Sequence, residues 1–252
     1  MKIDFIGKVV LITGATRGIG KQIADDCERL GAELILTGTK IDEIRKLNLQ
    51  EKKTTGQDVK KKYYCVDFTR PESMESFLQV LKNQKKIDVC INNAGINRIN
   101  YIDETRLKDI EEIIEVNLKA PFLIMREVSR CMKKNRYGRI VNISSIFGVI
   151  SREKRSVYST TKFGLRGMTV AAANELAKYN VLVNAVSPGF VLTELTKSIL
   201  SNEEMEDLSR QIPARRMATP DEISKTVLFL ASSLNTYITG QNIIVDGGFV
   251  NV

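Results

Sequence analysis

The sequence of 252 residues contains no histidine and no tryptophan. Histidine is the side chain whose ordinary pKa lies closest to neutrality, so proton transfer at neutral pH must use another residue type. The four cysteines, Cys27, Cys65, Cys90 and Cys131, show no CxxC spacing. This scatter indicates buried, reduced thiols and gives no support to a zinc site or a disulfide framework, so no metal is predicted.

Long apolar runs are also missing, because no stretch reaches the roughly 20 apolar residues that a membrane-spanning helix needs. At the N-terminus, a lysine-flanked apolar stretch leads straight into a glycine loop, without the small-residue cleavage site of a signal peptide. We therefore expect a cytoplasmic protein with no membrane partner.

The chain carries a formal net charge of +8, with basic clusters in KKNRYGR (133–139) and SREKR (151–155). These clusters could mark a nucleic-acid binder, but the lysines are dispersed among acids and basic-aromatic clusters are missing. We interpret them as solvated surface and predict no nucleic-acid partner. A basic rim would nevertheless suit an anionic cofactor or an acidic carrier of the substrate.

Short apolar runs alternate with amphipathic stretches along the whole chain, without a linker or a repeat. Seven buried strands separated by helices predict an α/β Rossmann fold: a doubly wound, seven-stranded parallel sheet with helices on both faces, in one domain over residues 1–252. A long stretch without a strand, about 190–216, is either a substrate lid or a surface excursion. The predicted strands are 8–13, 33–38, 61–67, 87–93, 138–145, 180–187 and 242–248.

TGATRGIG places Gly14, Gly18 and Gly20 between the first strand and the first helix. Glycine lets the backbone turn tightly and approach a pyrophosphate, which then meets the free amides at the helix N-terminus. In this context the three glycines predict dinucleotide binding.

The residues after the second strand favour NADP(H) over NAD(H). A carboxylate there would bind the ribose hydroxyls and repel a 2′-phosphate, but this chain has Thr39 and Lys40. Asp42 is better explained as a residue near a helix N-terminus. Arg17 in the glycine loop could reach the 2′-phosphate together with Lys40.

Tyr158 and Lys162 are spaced to lie one turn apart on one face of a helix. The nearby ammonium is expected to lower the pKa of the phenol from about 10, which would make Tyr158 a useful acid and base. Ser145 ends the fifth strand and could hold the substrate oxygen. Ser144 is its rival, because alternation allows only one of the two serines to face the cleft.

In combination, TGATRGIG, the NNAG of residues 92–95, Asn117, Ser145 and the Tyr158-x-x-x-Lys162 pair resemble the short-chain dehydrogenase/reductase family. The resemblance extends to VDGG at 245–248, and the spacing of the family's serine to its tyrosine favours Ser145. It implies an oxidoreductase, usually a homotetramer, with Ser145, Tyr158, Lys162 and Asn117 as catalytic residues; Asn117 would support a water that relays protons past Lys162.

The resemblance also implies a cofactor site with several further members. Asp67 would meet the adenine amino group, although it could equally be a turn aspartate. Asn93, Ala94 and Gly95 would lie along the ribose, and the turn from Pro188 to Thr193 would lie beside the nicotinamide. The full set is Gly14, Thr16, Arg17, Gly18, Ile19, Gly20, Thr39, Lys40, Asp67, Asn93, Ala94, Gly95, Tyr158, Lys162, Pro188, Gly189, Val191 and Thr193.

Four segments, NNAGINR, SPGFVLTELT, QIPARRMATPDEIS and YITGQNIIVDGG, resemble one subgroup of the family, the 3-oxoacyl-(acyl-carrier-protein) reductases of fatty acid biosynthesis. This resemblance implies NADPH-dependent reduction of a 3-oxoacyl thioester, with acyl carrier protein as a possible partner. The chain departs from the pattern of this subgroup at two positions, with Arg215 in place of a glycine and Tyr179 in place of an arginine that docks the carrier protein. Arg136 matches the other docking position. A sugar or small-ketone reductase and a non-catalytic dinucleotide-binding protein are the alternatives. The candidates for an apolar cleft are Ile146, Phe147, Phe190 and Leu195.

Overall fold

The computed structural model describes residues 2–55, 60–194, 196 and 201–251. They form a sheet of seven parallel strands in the order β3-β2-β1-β4-β5-β6-β7. The predicted fold and all seven predicted strands are confirmed, although several strands end earlier than the apolar runs suggested. The strands are β1 Val9–Ile12, β2 Glu33–Gly38, β3 Lys61–Cys65, β4 Val89–Asn92, β5 Gly138–Ile143, β6 Val181–Pro188 and β7 Asn242–Val245.

Helices cover both faces of the sheet. They are α1 Gly18–Arg29, α2 Ile41–Thr55, α3 Pro71–Lys82, α4 Leu107–Ile114, α5 Ala120–Asn135, α6 Ser156–Leu176, α7 Asn202–Gln211 and α8 Pro220–Ala231. A π-helical turn, Glu115–Lys119, joins α4 to α5 without a break. In the part of the chain that the structure describes, no helix is both long and apolar enough to cross a membrane.

Successive residues of the central strands point to opposite faces and build two separate cores. Val10 and Ile12 of β1 pack with residues of α1 and α8 in one core. Leu11, between them, packs with residues of α3, α5 and α6 in the other. Burial on both faces explains why these strands are almost continuously apolar rather than alternating.

The chain order of the strands reverses between β1 and β4, which are neighbours in the sheet. From β1 the chain proceeds outward through β2 and β3, and from β4 it proceeds the other way through β5, β6 and β7. The loops that follow β1 and β4 therefore diverge at the carboxyl edge and leave a crevice between them. Ligands bind at this point in open α/β sheets.

Candidate active site

The glycine loop after β1 has a backbone that other residues cannot adopt freely. Gly14 and Gly18 have φ values of +65° and +55°, in the left-handed region. At Gly20 a side chain is excluded by space, since an added Cβ would lie 2.3 Å from the Gly14 carbonyl oxygen and 2.4 Å from Asn93 Nδ2. The loop therefore packs backbone against backbone at the crevice.

The loop after β4 is fastened to the glycine loop by side chains. Asn93 Nδ2 donates to the carbonyl oxygens of Thr13 at 2.9 Å and of Gly14 at 3.0 Å. The buried Thr13 hydroxyl oxygen accepts from the amides of Asn93 and Ala94, both at 3.0 Å. The side chain of Asn93 is thus engaged with the protein, and the sequence did not single out Thr13 as its partner.

The first turn of α1 presents amides that no side chain caps, because its N-cap residue Arg17 makes no side-chain capping bond. This is the geometry in which a helix N-terminus binds phosphate. Beside it, Thr16, Arg17, Gly18 and Thr193 line a cleft of about 340 Å³.

The residues that follow β2 fit a 2′-phosphate. Thr39 and Lys40 are exposed, as is Arg17, and neither basic side chain forms an ion pair within the described residues. Asp42 lies in the first turn of α2, as expected, and its carboxylate is 3.6 Å from Arg45. The edge of the site is therefore basic, and the Asp42 carboxylate is paired with Arg45.

Tyr158 and Lys162 lie in the first turns of α6, so the predicted helix is confirmed. The Lys162 ammonium lies 5.6 Å from the centre of the Tyr158 ring and donates to the carbonyl oxygen of Ile143, at the end of β5, at 2.8 Å. A methyl group added at Gly95 would lie 3.6 Å from the same ammonium. Lys162 is therefore fixed between α6, β5 and the loop after β4.

The two serines after β5 point in different directions. The Ser144 hydroxyl donates to the carbonyl oxygen of Lys162 at 3.2 Å, inside the protein. The Ser145 hydroxyl oxygen accepts from the amide of Phe147 at 3.1 Å, so the hydroxyl proton remains free to be donated. The same hydroxyl forms a hydrogen bond with the Tyr158 side chain that acts to lower the pKa of the phenol. Of the two, Ser145 is the serine that the structure brings to the phenol.

The prediction that Lys162 lowers the pKa of Tyr158 is wrong for this structure. Burial raises the pKa of the phenol, and the Ser145 hydroxyl and the positive charge of Arg155 oppose that rise only in part. Burial also lowers the pKa of the Lys162 ammonium to about 8. Tyr158 consequently holds its proton at neutral pH, which is the form required of an acid.

Asn117 lies in the π-helical turn, buried against two other elements. Its side chain accepts from the Ile96 amide and donates to the Ile96 carbonyl oxygen, both at 2.8 Å, and lies 3.3 Å from the Thr161 hydroxyl. It thus joins the loop after β4 to α6. π-Helical turns are frequent at functional sites, and nothing in the sequence pattern revealed this one.

The remaining predicted cofactor residues occupy the same crevice or its rim. Thr193 lies next to Gly18, whose added Cβ would be 3.5 Å from its methyl carbon. Pro188 ends β6, and the Gly189 amide donates to the Val245 carbonyl oxygen. Val191 pairs with Ala218. Ile19 lies in the first turn of α1.

Asp67 does not end a strand, because β3 stops at Cys65. Its carboxylate accepts from the amide of Thr69 at 3.0 Å and from the Thr69 hydroxyl at 2.7 Å. This is the arrangement of a turn aspartate. The other oxygen, Oδ2, lies 3.9 Å from Nε of Arg70. The adenine contact of Asp67 remains a prediction.

On the substrate side, aromatic rings lie beside Tyr158. Phe147 packs edge to face on Tyr158 and on Phe190, with ring centres 6.4 and 6.5 Å apart. Ile146 belongs to the protein interior, being only 1% exposed, and Leu195 lies outside the described residues. The guanidinium groups of Arg152 and Arg155 lie near Phe147, although the sequence interpretation treated them as solvated surface.

Comparison with known proteins shows similarity to a family model, to a curated relative and to solved structures. The family model described as enoyl-(acyl carrier protein) reductase matches residues 14–250. The 3-oxoacyl-(acyl-carrier-protein) reductase FabG of Aquifex aeolicus (strain VF5) is 42% identical over 255 residues, which cover 98% of this chain and 99% of the relative.

Two solved structures are also similar. A short-chain type dehydrogenase/reductase from Mycobacterium marinum has a TM-score of 0.85 at 31% identity, covering 98% of this chain and 96% of the other. A gluconate 5-dehydrogenase from Burkholderia cenocepacia J2315, solved with NADP and tartrate, has a TM-score of 0.88 at 26% identity, covering 99% and 97%.

Proposed function

The chain belongs to the short-chain dehydrogenase/reductase family, and from that premise we propose that it reduces 3-oxoacyl-(acyl-carrier-protein) to the 3-hydroxyacyl form with NADPH. The supporting observation is the convergence of Ser145, Tyr158 and Lys162 beside an uncapped helix N-terminus. The full-length relationship to a 3-oxoacyl-(acyl-carrier-protein) reductase supports the substrate class.

The cofactor is NADP(H). When bound, NADPH supplies a hydride to the carbonyl carbon of the substrate. The glycine loop and the first turn of α1 fit its pyrophosphate, since a side chain at Gly20 would fill the space that the loop needs. Arg17 and Lys40 fit the 2′-phosphate, and the remaining predicted residues surround the ribose and the nicotinamide.

Tyr158 acts as the general acid of the reduction. Its phenol is protonated at neutral pH because burial raises its pKa, and it donates that proton to the substrate oxygen as the carbonyl is reduced. Ser145 donates a hydrogen bond to the same oxygen and stabilises the charge that develops there. The phenolate that remains is stabilised by the Ser145 hydroxyl and by the positive charge of Arg155.

Lys162 and Asn117 prepare the site for the next turnover. With its pKa lowered to about 8, the Lys162 ammonium can exchange its proton near neutral pH and return one toward Tyr158. Asn117 holds the loop after β4 against α6 through Ile96, which keeps Gly95 beside the ammonium. The water relay implied for Asn117 belongs to this proposal.

The test is a substrate panel in which NADPH consumption is followed with acetoacetyl-N-acetylcysteamine, acetoacetyl-CoA and a keto sugar. We expect turnover of the thioesters, and a loss of kcat of about 10²- to 10⁴-fold in Tyr158→Phe, the range that a positioned general acid supplies. The Kd for NADPH, measured by calorimetry, should stay within threefold. Wild-type turnover of the keto sugar alone would refute the thioester assignment.

A second candidate function is oxidoreduction of a sugar acid. The gluconate 5-dehydrogenase of Burkholderia cenocepacia shares the fold over nearly the whole chain, and its structure contains a small dicarboxylate, tartrate. The basic side chains Arg152 and Arg155 beside the aromatic rings of this chain favour an anionic substrate of that kind. Adding 5-ketogluconate to the substrate panel separates the two functions.

The proposal includes a carrier partner and a lid. Arg136 bonds to the carbonyl oxygen of Lys178, next to Tyr179, and this basic surface would receive an acidic carrier protein. The segment 190–216 would close over the substrate. Its helix α7 has no buried residue, whereas its flanks are anchored by the pairing of Val191 and by buried Ile212.

A cytoplasmic homotetramer completes the proposal. Exposed apolar side chains on α5 and α6, namely Phe122, Phe163 and Val170, support the expected shared interface. Sedimentation of the purified protein would test the assembly, and a monomer would refute it.

A further inference from the structure

We propose that Arg155, assisted by Arg152, binds a carboxylate close to the reacting carbonyl, so that the protein also reduces free 3-oxo acids. The inference rests on the proposed function in using the same reducing site. It adds a substrate class, because a 3-oxoacyl thioester carries no negative charge near its ketone.

The two arginines lie where such a carboxylate would be. They belong to the loop 151–155, which precedes α6, and Arg155 comes three residues before Tyr158. The guanidinium carbons of Arg155 and Arg152 lie 5.5 and 5.6 Å from the centre of the Phe147 ring. That ring packs against Tyr158, so the arginines are one aromatic ring away from the general acid.

Their positive charge is not balanced by the protein. Neither guanidinium group forms an ion pair or a hydrogen bond with any residue in the described ranges. Nε and Nη1 of Arg155 are moreover buried without a partner, the only buried side-chain nitrogen or oxygen atoms of that kind among the described residues. Buried donors nearly always have partners, so two orphaned donors on one cation indicate an absent acceptor.

Electrostatics supports an anionic acceptor. Burial and the charge of Arg152 both lower the pKa of the Arg155 guanidinium. The guanidinium nevertheless keeps its proton at any physiological pH, so it cannot escape this environment by becoming neutral. A bound anion would offset both the desolvation of the Arg155 guanidinium and its repulsion by the charge of Arg152.

The geometry favours a carboxylate over a phosphate. Nε and Nη1 form one edge of a planar fork that matches the two oxygens of a carboxylate. The phosphate of a pantetheine arm, by contrast, is separated from the ketone by the whole length of that arm.

The reaction is balanced in the same way as the thioester reduction. Acetoacetate, NADPH and one proton give 3-hydroxybutyrate and NADP⁺. The ketone carbon gains a hydrogen with two electrons, and its oxygen gains the proton of Tyr158. The carboxylate takes no part in the bond changes, which makes Arg155 a residue that determines specificity.

The experiment compares acetoacetate with its methyl ester, which lacks the negative charge and is larger by one methyl group. We expect the ratio of kcat/KM for acetoacetate to that for methyl acetoacetate to fall at least tenfold in Arg155→Gln, and less in Arg152→Gln and Arg155→Lys. Lys154→Gln is the matched control, because it removes one positive charge from the same loop, where the ammonium lies over the Tyr101 ring. Its ratio should stay within twofold of wild type.

Binding provides a readout independent of turnover. In the Tyr158→Phe background, calorimetry with acetoacetate and NADPH should show an affinity that Arg155→Gln weakens at least tenfold. An unchanged ratio, or equal losses for acid and ester, would overturn the inference. So would an Arg155→Gln effect confined to acetoacetyl-CoA and absent with acetoacetyl-N-acetylcysteamine, which would indicate phosphate recognition.

The two proposals fail separately. If the thioesters are reduced but acetoacetate neither binds nor depends on Arg155, the proposed function stands and this inference falls. If acetoacetate is reduced with the expected dependence on Arg155 while the thioesters are not, the inference stands and the thioester assignment falls.

Discussion

The cofactor edge and the substrate edge of this site are built differently. At the cofactor edge, Thr13, Gly14 and Asn93 are joined by hydrogen bonds of 2.9–3.0 Å, and a side chain at Gly20 would collide with the Gly14 backbone. At the substrate edge, Arg152 and Arg155 lack protein partners among the described residues, and α7 has no buried residue. One edge is determined by backbone geometry and the other by side chains.

The difference shows which chemistry each edge can carry. A backbone cradle binds a feature that all dinucleotides share, the pyrophosphate, and tolerates little substitution. Side chains on loops can differ without disturbing the sheet, so they suit recognition of a particular substrate. We therefore expect the rigid edge and α6 to determine the type of reaction, and the loop 151–155 and the segment 190–216 to determine the choice of substrate.

The largest expected effect comes from breaking the rigid edge with Gly20→Ala. The added methyl group would lie 2.3 Å from the Gly14 carbonyl oxygen, so the glycine loop must move. We expect the free energy of unfolding to fall by about 1–3 kcal/mol, as overpacking does. The Kd for NADPH should rise roughly 100-fold, equivalent to about 2.7 kcal/mol. Urea denaturation and calorimetry measure the two effects.

The matched control is Gly18→Ala in the same loop. There the nearest atom to an added Cβ is a Thr193 methyl carbon at 3.5 Å, an ordinary contact, and only the φ of +55° opposes alanine. We expect a stability loss of about 1 kcal/mol and a smaller change in Kd. If Gly20→Ala bound NADPH within threefold of wild type, the cradle could not be the pyrophosphate site.

The rigid edge is also the part that the sequence predicted best. The seven strands, the glycine loop between β1 and α1, and the positions of Tyr158 and Lys162 on one helix follow from periodicity and residue spacing. The order of the strands, and with it the crevice between β1 and β4, required the structure. The pKa of Tyr158 did not follow, because helical spacing gives proximity to Lys162 but not the depth of burial. The π-helical turn at Asn117 and the burial of the Arg155 guanidinium nitrogens depend likewise on tertiary packing.

An intermediate effect is expected at the part of the cofactor edge that depends on side chains, Arg17 and Lys40. Arg17→Ala and Lys40→Ala should each raise the Kd for NADPH about tenfold, since a charge-assisted contact contributes about 1.5–3 kcal/mol. The Kd for NADH, which lacks the 2′-phosphate, should change less than twofold. Fluorescence titration of both cofactors gives the comparison.

Lys46→Ala on the exposed part of α2 is the control for net charge in that experiment. It removes one positive charge from the same region of the surface, and its effect on either cofactor should be below twofold. Equal losses for NADPH and NADH in the Arg17 and Lys40 variants would show that these side chains do not recognise the 2′-phosphate.

The smallest expected effect tests the substrate edge, at Arg215. This residue has a φ of +57°, in the left-handed region that glycine adopts without strain. Arg215→Gly should relieve about 1 kcal/mol of backbone strain, partly offset by the greater freedom of glycine in the unfolded chain. We expect a net gain of about 0.5 kcal/mol, or a rise in Tm of about 1–2 °C at fixed protein concentration.

Asn180→Gly separates backbone strain from other causes of that gain. Asn180 has a φ of +59°, but asparagine tolerates this region, and its side chain donates to the Arg136 carbonyl oxygen at 3.1 Å. It should therefore gain nothing or lose stability, as differential scanning calorimetry would show. Arg215 makes one comparable bond, from Nη1 to the Arg210 carbonyl oxygen, and is exposed. If Arg215→Gly lowered the Tm, this bond would outweigh the strain, and Arg215 would stabilise the segment below the proposed lid.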